Sequence, residues 1–287
     1  MSDITLTSSM RANLVSLQST SALLGSTQEK LSTGLKVNSA VDNPAAYFAA
    51  RGHNQRAELL AGLKDNISEA IQTVKAADSG VEGVLTTIEA LRGIVTQARS
   101  ALNDTVNSAT TLSGLTTQYN ELIKQVNNTA GDSSYKGINF LSGTSQTLTV
   151  NFNENATTKL VMSGFDSSSS GLGLSGGVAG INTVGTLTSA SLDTTAELDS
   201  METKLNAAIS TLQTKSSELA ANLSILTTRQ SFVTDMINTL RDGATNLTVA
   251  DTNEEGANLL ILQTRQQLGT TALSLSAQAA QSVLRLF

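Results

Sequence analysis

A seven-residue apolar repeat constrains the fold of this 287-residue chain more than any other feature. It recurs in two long segments, each well beyond the three or four heptads that indicate a coiled coil. The first runs through Leu60, Ile67, Val74, Val81, Ile88 and Val95, and the second through Leu205, Leu212, Leu219, Leu226 and Val233. A strict heptad predicts helices wound in a left-handed supercoil. We therefore predict a mainly α fold, a long antiparallel coiled-coil bundle whose core these residues form.

Both ends of the chain carry weaker apolar stripes of the same kind. The N-terminal stripe comprises Met10, Leu14, Leu17, Leu24 and Leu31, and the C-terminal stripe comprises Ile261, Leu268, Ala272, Leu275, Ala279 and Leu286. A single helix cannot cover its own stripe, and chain ends fray unless something holds them. Either the two terminal helices pair with each other, or they bury these faces only in an assembly.

The middle of the chain has a different pattern. Thr147–Phe152 and Lys159–Phe165 alternate apolar and polar residues around a polar turn at 153–155, which predicts a β-hairpin. The segment from Asp166 to Leu192 is rich in glycine and serine, and we expect an exposed, irregular loop there.

The sequence offers few candidate residues for catalysis. His53 is the one histidine, cysteine is absent, and Gly171–Gly177 lacks the lysine of a phosphate-binding loop. The adjacent Glu254 and Glu255 suit the first turn of a helix better than a metal site, because neighbouring helical residues diverge. We predict no enzyme activity, cofactor or metal. A net charge of −6 argues against nucleic-acid binding, and no apolar run reaches the ~18 residues of a membrane span.

The stretch LSTGLKVNSAVDNPAAYFAA, from Leu31 to Ala50, interrupts the helical pattern. Asp42 or Asn43 can cap a helix that has Pro44 at its first position. The residues before them are then a connector between two helical layers.

Four motifs, in order along the chain, make this sequence similar to the bacterial flagellins. They are the Leu31–Ala50 stretch, IEALRGIVTQA from Ile88, YKGINFLSG from Tyr135, and the C-terminal segment that begins DTNEEGANLLILQTRQQLG at Asp251. The resemblance covers both ends and most of the predicted coiled coil.

The resemblance implies a subunit of the flagellar filament, extracellular and exported through the flagellar type III channel. Its partners would be itself, alone or with other flagellins, the export apparatus and chaperone, and the filament cap and hook-junction proteins. The terminal helices, 1–34 and 246–287, would pair as an inner coiled coil that folds on assembly. The outer-tube helices would be 44–130 and 196–245, with the hairpin and loop at 131–195. The connector, 35–43, would make subunit contacts through Asn38, Ser39, Asp42 and Asn43.

Flagellins detected by the animal Toll-like receptor for flagellin carry an arginine at the position of Ala90 and a glutamate at that of Gln118. Arg92 and Gln97 belong to the same surface. This chain lacks both the arginine and the glutamate. We therefore predict that it is a poor agonist of this receptor, because charged pairs at an interface are hard to replace.

Three alternatives remain open from the sequence. A hook–filament junction protein would share the terminal helices. A signalling coiled coil is disfavoured by the hairpin and by the lack of a membrane span, and an enzyme has no candidate site.

Overall fold

The structure is a computed structural model, and it describes residues 8–103, 108–174, 192 and 194–284. Its helices are α1 (Ser8–Thr33), α2 (Pro44–Ala101), α3 (Ser108–Asp132), α4 (Thr195–Thr248) and α5 (Thr252–Leu284). Strands β1 (Thr147–Asn151) and β2 (Lys159–Ser163) form an antiparallel pair. The predicted mainly α fold with a small hairpin is confirmed. Leu286 and residues 175–191 lie outside the described residues.

The chain divides into two compact units, Leu59–Met236 on one side and Met1–Glu58 with Ile237–Phe287 on the other. The limits of these units lie inside α2 and α4. The break between α4 and α5 covers residues 249–251, slightly after the predicted domain limit at 245/246. Among the described residues, no helix combines the length and apolar character needed to cross a bilayer.

The unit Leu59–Met236 is held by apolar packing between α2, α3 and α4. The residues of both predicted ladders are buried; Ile67, Val74, Ile88, Leu205, Leu212 and Leu226 are fully inaccessible to solvent. Contacts between α2 and α4 show that the helices are antiparallel: Asp78 accepts a hydrogen bond from Ser216 at 2.9 Å, and Arg99 lies 2.6 Å from Asp199. Burial of side chains of this size contributes about 1.5–3 kcal/mol each.

Two glycines allow α3 to lie close to α2. A Cβ added at Gly80 would lie 2.1 Å from the Ser133 hydroxyl oxygen, and one at Gly83 would lie 3.1 Å from Thr129. On α3, the buried row includes Leu112, Leu115, Tyr119, Ile123 and Val126. Leu122, next to Ile123, is only half-buried.

The end of α3 is closed by a turn that the sequence motif YKGINF specifies. Lys136 and Gly137 both have positive φ, 49° and 81°, between the paired residues Tyr135 and Ile138. The buried Asn139 then donates hydrogen bonds of 2.8 Å to the carbonyls of Ala130 and Gly131. These carbonyls would otherwise have no partner at the end of the helix.

The hairpin is paired in the register Thr147↔Ser163 to Asn151↔Lys159. Its flanking aromatic rings lie against cations of α4: the Arg229 guanidinium is 5.1 Å from the Phe152 ring centre, and the Lys215 ammonium is 5.8 Å from that of Phe165. Cation–π contacts of this kind help to hold the hairpin on the helices.

The expectation of an exposed loop is wrong for the described part of the glycine- and serine-rich segment, residues 166–174. Ser167 and Ser169 are at most 1% exposed. Backbone donors explain why: the Ser167 amide bonds to the Leu141 carbonyl at 2.9 Å, and the Ser169 amide bonds to the Asn127 side chain at 2.8 Å. Small side chains allow this backbone to lie against the core.

Candidate assembly surface

Helices α1 and α5 pair with each other in antiparallel fashion. Lys30, near the end of α1, lies 3.4 Å from Glu255, in the first turn of α5. Further along the pair, a Cβ added at Gly269 would lie 2.6 Å from the Leu17 side chain. The absence of a side chain at Gly269 therefore lets the two helices approach closely at this point.

The inward faces of this pair bury few side chains fully. On α1, Met10 and Thr27 are buried, and Leu17 and Leu24 are half-buried. On α5, Leu262 is 9% exposed, and half-buried Leu259, Gln266, Gly269 and Leu273 complete the row. The row mixes leucines with glycine, glutamine and threonine, which have less apolar surface to bury. The pairing is therefore weaker per residue than the packing of the ladders.

Apolar side chains also lie on the outward faces of α1 and α5. On α1, Leu14 is 38% exposed, Leu31 36%, and Val15 and Leu23 more. On α5 the whole described part of the predicted stripe is exposed: Ile261, Leu268, Ala272, Leu275 and Ala279. We call these exposed residues of α1 and α5 the outward rows.

The sequence prediction thus combined two faces of α1 and missed the inward face of α5. Of the predicted N-terminal stripe, Met10, Leu17 and Leu24 face α5, whereas Leu14 and Leu31 do not. The inward row of α5 has its own heptad signal, since Leu259, Gln266 and Leu273 recur every seven residues with Leu262 and Gly269 between them. The polar Gln266 and the small Gly269 weaken that signal.

The connector is a loop organised by one carboxylate. Asp42 accepts hydrogen bonds from the Ser39 amide at 2.8 Å, the Asn38 amide at 3.0 Å and the Ser39 hydroxyl at 3.1 Å. The Ser39 and Asn38 amides, with the Ser39 hydroxyl, hold the pKa of Asp42 below its usual value. Asn43 has a separate role: its side chain accepts the Ala46 amide at 3.1 Å and caps α2.

The start of the connector is paired with the break between α4 and α5. The amides of Lys36 and Val37 both donate to the Thr248 carbonyl, at 2.8 and 3.3 Å, and the Ala250 amide donates to the Gly34 carbonyl at 2.9 Å. Val37 and Ala250 are buried beside these bonds. No local sequence pattern indicates this pairing, because it joins residues more than 200 positions apart.

The residues assigned to the receptor surface are all exposed. Ala90, Arg92 and Gln97 lie on α2, and Gln118 lies on α3. All four belong to the unit Leu59–Met236.

The described residues offer no constellation for catalysis or metal binding. His53 is half-buried in α2. No cluster of three or more histidines, cysteines or acidic residues that could hold a metal ion occurs in the part of the chain that the structure describes. The features that stand out are the outward rows and the connector.

Comparison with known proteins gives matches over the same regions. The family model for the bacterial flagellin N-terminal helical region matches residues 4–146. Flagellin FljO of Caulobacter vibrioides is 29% identical over 274 residues, covering 96% of this chain and 94% of the relative. A flagellin of Brucella melitensis is 28% identical over 295 residues, covering 100% of this chain and 99% of the relative.

A solved structure described as a putative flagellar hook-associated protein from Vibrio parahaemolyticus shares the fold. Its TM-score is 0.58 at 13% identity, and the match covers 72% of this chain and 100% of that one. The sequence likenesses extend from the terminal helices through the hairpin, whereas this structural likeness concerns the fold alone.

Proposed function

This chain belongs to the bacterial flagellin family, and from that premise we propose that it polymerises into the flagellar filament through the outward rows of α1 and α5. Its role in the filament, outside the cell, is structural and not enzymatic. The observation that carries the proposal is the exposure of apolar side chains along both terminal helices, with Leu268 at 66%, Ile261 at 53% and Leu23 at 53%.

The α1–α5 pair is incomplete without neighbouring subunits. Fixing the backbone of a residue costs about 1–2 kcal/mol, and isolated helices in water are marginally stable. The inward row supplies few fully buried side chains to offset this cost. Burial of the outward rows against other subunits would supply the rest, so that the terminal helices fold as the filament grows.

Filament elongation from seeds tests this proposal. Purified monomer is added to sheared filament fragments, and filament lengths are measured by electron microscopy. We expect the unmodified chain to elongate the fragments. The variant with Leu268 and Leu275 replaced by serine should not elongate them. The matched control is Val161→Ser, at an apolar residue of the hairpin that is 53% exposed. This variant should elongate normally. Normal elongation by the Leu268→Ser, Leu275→Ser variant would contradict the proposal.

The same experiment tests the alternative that the chain is a hook–filament junction protein. The fold shared with the putative hook-associated protein of Vibrio parahaemolyticus is the observation that favours it. A junction protein would cap fragments without forming long filaments by itself. Long filaments from this chain alone would exclude that function.

The route to the filament and its further partners form a second part of the proposal. We infer that the chain leaves the cell unfolded through the flagellar export channel. Its partners on this route are the export apparatus, an export chaperone, and the cap and hook-junction proteins, and other flagellins can share its filaments. Loss of the chain from the culture medium in an export-defective strain would support this route. Unchanged secretion in that strain would contradict it.

We also propose that the chain is a poor agonist of the animal Toll-like receptor for flagellin. The exposed positions of Ala90 and Gln118 carry no charge, so the ion pairs that a charged receptor surface would need are missing. A receptor reporter assay with purified monomer should give a weak response that the Ala90→Arg, Gln118→Glu variant increases. A strong response from the unmodified chain would overturn this proposal.

A further inference from the structure

The connector presents one apolar side chain almost completely to solvent. Val41 is 92% exposed at the apex of the loop that Asp42 closes. We call residues 39–42 the connector tip. Its geometry is fixed from within, because the Asp42 carboxylate accepts three hydrogen bonds and the Val41 amide donates to the Ser39 hydroxyl at 3.3 Å. A rigid loop loses little entropy on binding, so exposure of valine here suits a docking element.

The same unit contains an open cavity of about 550 Å³ that the connector itself helps to line. Leu35, Val37 and Tyr47 provide apolar wall, and Arg51 and Glu58 contribute one charge of each sign. We call it the connector cavity. A site with balanced charges and apolar walls fits an uncharged apolar group better than a charged one.

Residues 1–7 and 285–287 cannot reach the connector cavity of their own subunit. The cavity lies beside the residues that follow α1, and α1 has 26 residues, so its first residue is about 39 Å away. Residues 1–7 span at most about 25 Å when extended. The 33 residues of α5 likewise carry Leu284 about 50 Å from Thr252, and residues 285–287 reach back only about 10 Å.

We propose that the connector tip of one subunit docks in the connector cavity of a neighbouring subunit, with Val41 as the inserted side chain. The inference rests on the proposed function, since it requires a filament. The tip is apolar at its apex, and its one charged group, the Asp42 carboxylate, accepts hydrogen bonds within the loop. The tip therefore suits a cavity whose charges balance. A tip on one subunit that enters a cavity on the next makes a heterologous contact, and such contacts form open helical filaments when the rotation between subunits does not close a ring.

The absence of cysteine from the chain makes this contact directly testable. Two single-cysteine variants are prepared, Val41→Cys in the tip and Asn54→Cys in the exposed part of the cavity wall. They are mixed, assembled on filament seeds and treated with an oxidant or a short bis-maleimide. We expect covalent dimers from the mixture and few from either variant alone. The double variant should give a ladder of covalent oligomers.

Three further variants distinguish a specific contact between tip and cavity from the general proximity of subunits in a filament. Val161→Cys, at an exposed apolar site in the hairpin, should not cross-link to Asn54→Cys. The Lys30→Cys, Glu255→Cys variant, at a contact within one chain, verifies that the reagent works. Replacing Val41 by serine should raise the critical concentration for elongation about tenfold, which corresponds to about 1.4 kcal/mol.

The failure of this inference can be told apart from failure of the proposed function. If filaments form but the mixture gives no cross-linked dimer, tip docking is wrong while the filament function stands. A cross-link from Asn54→Cys to Leu14→Cys instead would also overturn it, because a terminal helix would then occupy the cavity. Dimers without a ladder from the double variant would mean a closed two-fold contact and would overturn the heterologous arrangement.

Discussion

The unit Leu59–Met236 and the α1–α5 pair are both built from long helices of leucine, alanine, serine and threonine, but they bury their apolar residues very differently. In the first, Ile67, Leu205 and Leu226 are completely inaccessible to solvent. In the second, Leu260, Leu268 and Leu275 are each more than 60% exposed. Composition does not explain the difference; the number of helices does. Three helices and a hairpin enclose a core, whereas two helices can cover only one face of each other.

Deletion of the C-terminal residues Ser282–Phe287 should give the largest effect, loss of filament elongation. Removing them shortens α5, which is described to Leu284, so fewer apolar side chains are available for assembly. Circular dichroism melting of the truncated monomer should still show the transition of the unit Leu59–Met236. Normal filaments from the truncated chain would mean that this end of α5 is dispensable.

Substitution of one buried and one outward residue sharpens the comparison. Ile67→Ala should lower the free energy of unfolding of the monomer by about 2–5 kcal/mol, because it leaves a cavity in a closed core. Leu268→Ala, at a site 66% exposed, should change it by less than about 0.5 kcal/mol. Urea titration of both monomers measures the difference. Equal losses would show that the terminal pair is as well packed as the core.

Substitution of two helical glycines should change the stability of the monomer by a smaller amount, and it tests how closely α3 packs on α2. Gly80→Ala should destabilise the monomer by about 1–3 kcal/mol, because the new methyl group overlaps Ser133 and Leu141. Gly93→Ala, where nothing lies within 4 Å of the added Cβ, should stabilise α2 by about 0.5–1 kcal/mol. Thermal denaturation of both variants measures the contrast. Stabilisation by Gly80→Ala would show that α3 does not pack tightly on α2.

The smallest effect is a pH dependence confined to the connector. The hydrogen bonds from Ser39 and Asn38 lower the pKa of Asp42 from 3.8. A group whose pKa is lowered by folding stabilises the loop above its unfolded pKa, and that contribution is lost as the pH falls through the folded value. The amide resonances of Asn38 and Ser39 should therefore shift below pH 3.8, and Asp42→Asn should abolish the titration. A transition above that pH would mean that Asp42 is not held by these bonds.

Sequence periodicity predicted the ladders, the hairpin and the start of α2 because each depends on local pattern and capping. It failed where the outcome depends on packing between distant segments. The pairing of Lys36 with Thr248 leaves no mark on either segment alone. The burial of Ser167 reflects a backbone contact with Leu141, which glycine- and serine-rich composition does not reveal. On α5, a weak inward row and a stronger outward row coexist, and apolar content alone selected the outward one.

The most direct test of the central claim is hydrogen exchange, followed by mass spectrometry, of monomer and filament under the same conditions. Peptides from α2 within Leu59–Ala101 should be protected in both states. Peptides from α1 and α5 should exchange rapidly in the monomer and become protected in the filament, because their outward rows are then buried. Protection of α1 and α5 in the monomer equal to that of α2 would contradict the claim that these helices depend on assembly.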